Sequence, residues 1–366
     1  MKLRTFTLIT ICAFIAWTNA FAIERIPTGA GPFGVAVNAL TQTAVVANKD
    51  SGTLSIIDLK TRKVVNTIKA GGNPNGPAIN EKTNTLVYSD QADNTVVIFD
   101  LASGTEKARL PVGAFPTCVG IDAQHNIATV PNLNDNTVSV IDLATATVKH
   151  TIPVGATPVC MHWSINPKDM TAIVASYNDT LTVMNIENGH VLKTIPMGIG
   201  SGPNGASLNP KTNTAVVPLF FGNAAAIVDL NSGTVTHTVP VGTGAACSVI
   251  HEPTNTAFIS NLTDVSISAI DLNTGTLIRT LTGVGDGCLA IDEERKLLLV
   301  TSLGGGDVAL IPLDEIIGGA PTSVEAQGKQ LTFWGFLKRA FHSSGNPPAA
   351  PAAPQHGKTV PSCCGH

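Results

Sequence analysis

The residues of this sequence best suited to chemistry are cysteines and histidines that recur at one position of a repeated stretch. In PVGATPVCMHW, residues 153–163, Cys160 and His162 stand two positions apart, which places them on the same side of a strand. Thiolate and imidazole together select the soft ions copper(I) and zinc, and neighbouring cysteines pair as disulfides in oxidising compartments. The same position elsewhere in the chain carries further candidate metal ligands: Cys118, Cys247 and Cys288.

A structural interpretation of this position comes first, because glycine occupies it in three other copies: Gly34, Gly76 and Gly205. Cysteine packs as a small apolar side chain, so a position that demands a small residue accepts both types. A soft-metal or disulfide site is the alternative interpretation. In the fourth copy the position falls on His162 by alignment to the following strand, with two extra residues before it, and on Cys160 by counting forward from Gly155.

A second group of candidate ligands lies at the C-terminus, in HGKTVPSCCGH. The group contains His356, Cys363, Cys364 and His366. Its spacing matches neither a standard zinc knuckle nor a C-x-x-C-H haem attachment motif. Two adjacent cysteines near a histidine favour a copper or zinc site or a redox contact, and a terminus whose two cysteines oxidise to each other is the alternative.

The elements that position these residues follow from an internal repeat. Glycines recur at steps of 41–44 residues, and Asp or Asn at a second position keeps the same step; the glycines are Gly29, Gly71, Gly113, Gly155, Gly198, Gly242 and Gly283. Seven such units, each with several short apolar runs, predict an all-β, seven-bladed β-propeller with one four-stranded sheet per blade.

The first unit shows the pattern of strands. GVAVN (34–38), TAVVAN (43–48), TLSIIDL (53–59) and KVVNTI (63–68) are rich in Val, Ile and Thr and are separated by polar residues. The recurrent aspartates, as in DLNSG (229–233), precede the fourth strand and are predicted to be turn residues that bind backbone N–H groups. They are therefore not a catalytic series.

The seventh unit lacks a fourth strand, and the missing strand is predicted at the other end of the chain. IERIPTG (23–29) matches KHTIPVG (149–155) in register, so residues 23–26 should complete the last blade. Closure by the N-terminus removes exposed sheet edges and joins the two ends of the ring. The propeller is predicted over residues 23–314.

The ends of the second strands predict a polar ring at the mouth of the central channel. The residues proposed to bind a ligand there are Asn48, Lys49, Asp90, Asn132, Tyr177, Phe220, Phe221 and Asn261. A channel mouth is a common location for a ligand site. The alternative is that each Asn or Asp only begins the turn to the third strand.

The repeat resembles a known family at this point. VGAFPTCVGIDAQHNIATVPNLNDNTVSVIDLATATVKHTI is similar to the YVTN-repeat, YncE-like seven-bladed β-propellers, and the resemblance covers the whole propeller but not the C-terminal extension. It implies the fold. It does not select a function, because members of this family include exported proteins, DNA binders, subunits of redox enzymes and lyases.

Composition and the first residues predict an exported protein. Met1-Lys2-Leu3-Arg4, a short apolar run and Ala20-Phe21-Ala22 form a secretory signal peptide over residues 1–22. A periplasmic or secreted location follows. The formal net charge is −4 and the leader carries two of the cations, so a nucleic-acid partner is not expected.

The C-terminal extension, residues 315–366, has a different composition. An amphipathic helix is predicted at about 329–342, a Pro/Ala linker at 343–355 and the Cys/His tail at 356–366. The helix is expected to dock on the propeller, and peripheral membrane contact through residues 331–342 is the alternative. No transmembrane segment is predicted, and the chain is expected to be a monomer.

The chain carries none of the common hydrolase, nucleotide-binding or metalloprotease motifs. The leading prediction is an exported, non-enzymatic binding or scaffold protein that uses the channel-mouth face for a small ligand or a protein partner. One alternative is a copper- or zinc-handling or redox accessory protein. Another is a subunit of a periplasmic dehydrogenase or a lyase.

Overall fold

The computed structural model describes residues 23–160 and 164–318 of the 366-residue chain. Its strands form seven antiparallel sheets of four strands each. Seven apolar clusters join each sheet to the next and the seventh sheet to the first, so the sheets form a closed ring. The seven-bladed β-propeller predicted from the repeat is confirmed.

The first four blades use consecutive strands in sequence order. Blade 1 contains β2 (Pro32–Asn38), β3 (Thr43–Asn48), β4 (Thr53–Asp58) and β5 (Lys63–Lys69). Blade 2 contains β6 (Pro74–Asn80), β7 (Thr85–Asp90), β8 (Thr95–Asp100) and β9 (Thr105–Pro111). Blade 3 contains β10 (Gly120–Asp122), β11 (Ile127–Asn132), β12 (Thr137–Asp142) and β13 (Thr147–Pro153). Blade 4 contains β14 (Ile165–Asn166), β15 (Thr171–Ser176), β16 (Thr180–Asn185) and β17 (His190–Pro196).

The remaining blades follow the same order, except that the last blade draws a strand from the N-terminus. Blade 5 contains β18 (Ser207–Asn209), β19 (Thr214–Leu219), β20 (Ala224–Asp229) and β21 (Thr234–Pro240). Blade 6 contains β22 (Ala245–His251), a short 3-10 turn (Glu252–Thr254), β23 (Thr256–Asn261), β24 (Ser266–Asp271) and β25 (Thr276–Thr282). Blade 7 contains β26 (Leu289–Asp292), β27 (Leu297–Ser302), β28 (Asp307–Pro312) and β1 (Glu24–Pro27).

The apolar runs of the sequence reflect burial on both faces of the inner strands. In β12, Val138 and Val140 pack against blade 4, whereas Ile141 points the other way and packs against blade 2. Both faces of the strand are apolar because a neighbouring sheet covers each of them. The fourth strands, such as β5, lie at the outer edge and are mostly exposed, which is why charged residues occur there.

The recurrent aspartates are turn residues, as predicted. Asp58 Oδ1 accepts the backbone N–H groups of Lys60 at 2.8 Å and Thr61 at 2.9 Å. The Thr61 hydrogen bond lowers the pKa of Asp58, as expected for a carboxylate that accepts backbone donors. Four residues after the aspartate position the chain takes a positive φ, 74° at Gly233 and 67° at Gly275, which glycine adopts at little cost.

The N-terminal strand closes the ring, as predicted. β1 pairs with β28 in antiparallel register, with Ile26 opposite Val308. Ile26 is buried in the cluster between blades 7 and 1. Arg25 holds the same strand by donating to Asp307 Oδ1 and to the carbonyl of Gly283, both at 2.7 Å.

A short helix, α1 (Leu313–Ile317), follows the last strand and was not predicted there. Its Leu313 and Ile316 are buried against blades 6 and 7, and Arg279 donates to the carbonyl of Glu315. The predicted helix at 329–342, the linker and the tail lie outside the described residues, as does the predicted signal peptide. Within the described residues, no helix is long and apolar enough to cross a membrane.

The closing strand gives the first testable prediction. Ile26→Ala should lower the free energy of unfolding by about 2–5 kcal/mol, because it removes a buried side chain from the joint between the two ends of the chain. Val65→Ala on β5, at a side chain that is 59% exposed, is the control and should change it by less than about 0.5 kcal/mol. Urea unfolding measures both, and equal losses would contradict closure by β1.

Candidate functional site

The repeated cysteine and glycine position lies where the first strands approach the propeller axis. In blade 1, Pro32 pairs with Asn48 at the end of β3, and a register shift follows before Gly34 pairs with Ala47. Isolated bridges at Pro116 and Pro158 make the same contact in blades 3 and 4. The residues two positions after this contact form one ring, called here the axial ring: Gly34, Gly76, Cys118, Cys160, Gly205, Cys247 and Cys288.

In blade 4 the structure assigns the axial ring to Cys160. Pro158 stands two residues before Cys160, as Pro116 stands two residues before Cys118. The extra residues of blade 4 therefore follow Cys160, and the alignment that assigned the position to His162 placed them on the wrong side. His162 itself lies outside the described residues.

Neighbouring blades touch at the level of the axial ring. The backbone N–H groups of Val119, Ser248 and Cys288 donate across blade boundaries, to the carbonyls of Gly76 at 3.0 Å, Gly205 at 3.1 Å and Phe33 at 3.0 Å. A Cβ atom added at Gly34 would lie 2.6 Å from Pro77 Cδ, and one added at Gly76 would overlap the backbone of Cys118. The crowding explains the small residues of the ring, in line with the structural interpretation.

The four cysteines of the ring meet in one buried cluster, called here the axial thiol cluster. The sulfur atoms of Cys118, Cys160 and Cys288 all lie within 4.8 Å of one another. Cys118 and Cys160 are joined as a disulfide, with their Cα atoms 4.5 Å apart, and Cys247 is hydrogen bonded to Cys288. The ring therefore brings together side chains that are 41–170 residues apart in the sequence.

Cys118 has two contacts that bear on the chemistry of the cluster. Its bond to Cys160 closes 42 residues, and in the chain-entropy account such a disulfide stabilises the fold by about 4 kcal/mol. Cys118 Sγ also lies 3.5 Å from Asn75 Oδ1. A disulfide sulfur has no proton, so this contact becomes a hydrogen bond only if Cys118 is reduced to the thiol.

Cys288 is a buried thiol beside a small apolar cavity. The hydrogen bond with Cys247 and burial together raise the pKa of Cys288 well above its usual range. A cavity of about 10 Å³ beside it is close to the smallest that holds one water molecule or ion. Its lining consists of Cys160, Gly205, Ala206, Cys247, Ser248, Cys288 and Leu289.

Three asparagines of the predicted mouth ring lie inside their blades. Asn48 donates to Thr53 and Ser55 at 3.1 and 2.9 Å, and Asn132 and Asn261 make the equivalent pairs of bonds in blades 3 and 6. These amides connect the end of the second strand to the third, which favours the turn interpretation over a ligand contact. Their Oδ1 atoms are buried and accept no hydrogen bond from the described residues.

Asp90 and Lys49, also predicted at the mouth, are both buried. Asp90 accepts the N–H groups of Gly72, Asn73 and Ala92 at 3.1–3.2 Å, and Arg109 approaches it at 3.3 Å. Desolvation lowers the pKa of Lys49 to about 8, against the opposing effect of the neighbouring Asp50 carboxylate. Asp90 therefore organises the loop before β6, whereas Lys49 is a buried cation near the mouth.

The predicted aromatic residues do come together, between blades 4 and 5. The ring centroids of Phe220 and Phe221 are 5.3 Å apart, and those of Tyr177 and Phe221 are 6.0 Å apart. Phe221 is 58% exposed, whereas the Tyr177 hydroxyl accepts a bond from Asn204 at 2.9 Å and burial raises its pKa. Of these aromatics, Phe221 alone is largely exposed, and Phe220 and Tyr177 pack beneath it.

Two features of these sites have no distinguishing pattern in the sequence. Asn75, in β6, resembles the other asparagines of the sequence, yet its Oδ1 lies 3.5 Å from Cys118 Sγ. Asp179 anchors the longer loop of blade 5 by accepting the N–H groups of Gly200 at 2.7 Å and Gly202 at 3.1 Å. That loop carries Ile199, which is 94% exposed, and its Ser201 carbonyl accepts the backbone N–H of Phe221 at 3.1 Å. In the sequence, the extra length of this loop is the only sign that it differs from the equivalent loops of the other blades.

Comparison with known proteins establishes the architecture alone. No family model matches the chain, and no curated protein matches it. Among solved structures it is similar to the Kuenenia stuttgartiensis hydrazine synthase, with 15% sequence identity and a TM-score of 0.69. The match covers 78% of this chain and 96% of that one. At this identity the similarity concerns the fold, and it supports the β-propeller.

The axial crowding gives the second prediction. Gly76 and Gly104 both have positive φ, 35° and 71°, so an alanine is strained at either position. An added Cβ meets no atom within 4 Å at Gly104 but overlaps Cys118 at Gly76. Gly76→Ala should therefore cost about 1–3 kcal/mol more unfolding free energy than the control Gly104→Ala. Similar losses in urea unfolding would show that the axial ring is not closely packed.

Proposed function

We propose that the protein is an exported, YVTN-repeat, YncE-like propeller that binds one soft metal ion, copper(I), in its axial thiol cluster. It acts as a metal-handling or redox accessory protein in the periplasm or outside the cell. Export is supported by the leader over residues 1–22, and the family by the repeat sequence. No catalytic step is assigned to the chain.

One observation carries the metal proposal: three sulfur atoms from three blades lie within 4.8 Å of one another in a buried site. Copper–sulfur and zinc–sulfur bonds are about 2.3 Å long, so three ligands around one ion are separated by about 4 Å. Small movements of Cys118, Cys160 and Cys288 therefore suffice to surround an ion. Cys247, hydrogen bonded to Cys288, supports the third ligand from behind.

Binding must displace protons, because the ligands are thiols before the ion arrives. The raised pKa of Cys288 keeps its sulfur protonated at neutral pH, and a bound cation removes that proton by stabilising the thiolate. The released protons pass to solvent. The apparent affinity therefore increases with pH through the neutral range, by about tenfold per unit for each proton released.

Coordination number favours copper(I) over zinc. Structural zinc takes four protein ligands in a tetrahedron, whereas the described cluster brings three sulfurs together. Copper(I) is satisfied by two or three thiolates, and soft sulfur ligands select it.

The C-terminal group is proposed as a separate capture site. His356, Cys363, Cys364 and His366 lie outside the described residues, and their residue types support binding of the same class of ion. Any test of the axial cluster must therefore use a chain in which the cysteines of the tail have been replaced.

The third prediction tests the axial site in the full chain carrying Cys363→Ser and Cys364→Ser. The reduced protein should bind one copper(I) per chain in competition with a chromophoric chelator under anaerobic conditions. Cys288→Ser should lower the affinity by at least about 100-fold, because it removes one of three ligands. The affinity of the parent should rise between pH 6 and pH 8.

The matched control for this titration is Leu289→Val, which lines the same cavity and keeps all four sulfurs. It should bind copper(I) as the parent does. Absence of binding in the reduced parent, or equal affinity in Cys288→Ser, would disprove the axial site. An extra ion bound only when Cys363 and Cys364 are intact would assign a second site to the tail.

A second candidate function is partner binding at the channel-mouth face. The observation that favours it is a pair of exposed apolar side chains on adjoining loops, Ile199 and Phe221, which are 94% and 58% exposed. Phe220 and Tyr177 support it from below, and the Asp179 carboxylate holds its loop in place. Exposed aromatic side chains on a rigid base are typical of protein contact sites.

The fourth prediction tests this face with a photoreactive phenylalanine analogue at position 221 of the exported protein in its own cells. Irradiation should cross-link a discrete partner. The same analogue at Leu40 is the control, since that side chain is 70% exposed in the loop between β2 and β3 of blade 1. Cross-links at both positions, or at neither, would contradict a binding site at the mouth.

A further inference from the structure

The regulation of the axial site follows from the contact between two of its ligands, and this inference rests on the proposed metal site. We propose that the oxidation state of Cys118 and Cys160 decides whether the cluster holds copper(I). The reduced protein binds the ion, and formation of the Cys118–Cys160 disulfide releases it. The propeller is then a copper carrier whose release is controlled by oxidants of the disulfide class.

The geometry makes the two states mutually exclusive. Cys118 and Cys160 form a disulfide across the boundary of blades 3 and 4, and they are also two of the three sulfurs that converge within 4.8 Å. A sulfur bonded to sulfur has no thiolate to offer a metal. Of the converging set, only Cys288 keeps its ligand capacity in the oxidised form.

The fourth cysteine does not restore the site. Cys247 is hydrogen bonded to Cys288, but it is not among the sulfurs that converge within 4.8 Å. After oxidation the cluster therefore presents one converging ligand and its hydrogen-bonded neighbour, both as thiols in a buried environment. Retention of the ion would require Cys247 to turn into the site and both thiols to lose their protons.

The backbone does not oppose the exchange between the two states. The Cα atoms of Cys118 and Cys160 are 4.5 Å apart, within the range of ordinary disulfides. Asn75 Oδ1 lies 3.5 Å from Cys118 Sγ, so a Cys118 thiol formed by reduction at this position has an acceptor within reach.

The chemistry balances with a low-molecular-weight disulfide as oxidant. The thiolate of Cys118 attacks one sulfur of the oxidant, which forms a mixed disulfide and releases one thiolate. Cys160 then attacks the Cys118 sulfur and displaces the second half of the oxidant as a thiol. Two molecules of thiol are produced, one protein disulfide forms, and copper leaves as copper(I) with its oxidation state unchanged. Because the cysteines are buried, the rate is limited by local opening of the site.

The fifth prediction compares reduced, oxidised and re-reduced forms of the full chain carrying Cys363→Ser and Cys364→Ser. The reduced form is treated with oxidised glutathione, and disulfides are mapped by mass spectrometry of alkylated peptides. The Cys118–Cys160 disulfide should form, the copper(I) affinity should fall by at least about 100-fold, and re-reduction should restore it. Val65→Ala, at the exposed outer edge of blade 1, is the control and should show the same switch.

The outcomes separate this inference from the proposed function. Tight copper binding by oxidised protein with the Cys118–Cys160 disulfide intact overturns the switch and leaves the metal site standing. Loss of copper through another pairing, such as Cys247–Cys288, overturns the assignment of the switch to Cys118 and Cys160. Absence of copper binding in the reduced form overturns the proposed function, and the switch with it.

Discussion

Crowding at the propeller axis is the constraint on which the rest of the structure depends. Seven first strands converge there, and at three of the seven positions even a Cβ atom would approach a neighbouring blade to 2.9 Å or less: Gly34, Gly76 and Gly205. Backbone hydrogen bonds cross the blade boundaries at the same level. Side chains on this ring are therefore directed towards one another. The thiol cluster is therefore a consequence of the fold's geometry as soon as the sequence puts cysteine at several ring positions.

The N-terminal strand maintains this geometry from the opposite edge of the sheet. Cys288 belongs to blade 7, whose outer strand is β1, and β1 joins that blade to the chain's first residues. Ile26 fills the layer between blades 7 and 1, while Arg25 connects β1 both to Asp307 and to the loop that follows β25. The blade that carries the third sulfur of the cluster is thus completed by a strand more than 250 residues away in sequence.

Periodicity predicted most of the fold, because a repeat fixes strand order and turn positions without knowledge of any contact. The second strands end where expected, at Asn48 and its equivalents, and the aspartates bind the turn N–H groups. The site was harder to predict because a strand-end asparagine has the same pattern whether its amide faces solvent or turns back onto Thr53 and Ser55. The repeat likewise placed the cysteines on a ring but could not supply its radius, which decides whether sulfurs meet. In blade 4 an insertion left both Cys160 and His162 as candidates for the ring position. Only the bridge at Pro158 assigns that position to Cys160.

Packing alone does not account for the composition of the axial ring. A position that required only small size would accept alanine and serine, which occur beside the ring at Ala206, Ala246 and Ser248. The seven positions contain only glycine and cysteine, and they hold four of the seven cysteines in the chain. Cysteine also carries a chemical cost, because adjacent thiols oxidise in oxidising compartments. The small space at the axis explains the glycines, but it does not explain why the other positions carry sulfur. A metal-binding set of thiols that disulfide formation inactivates would explain it.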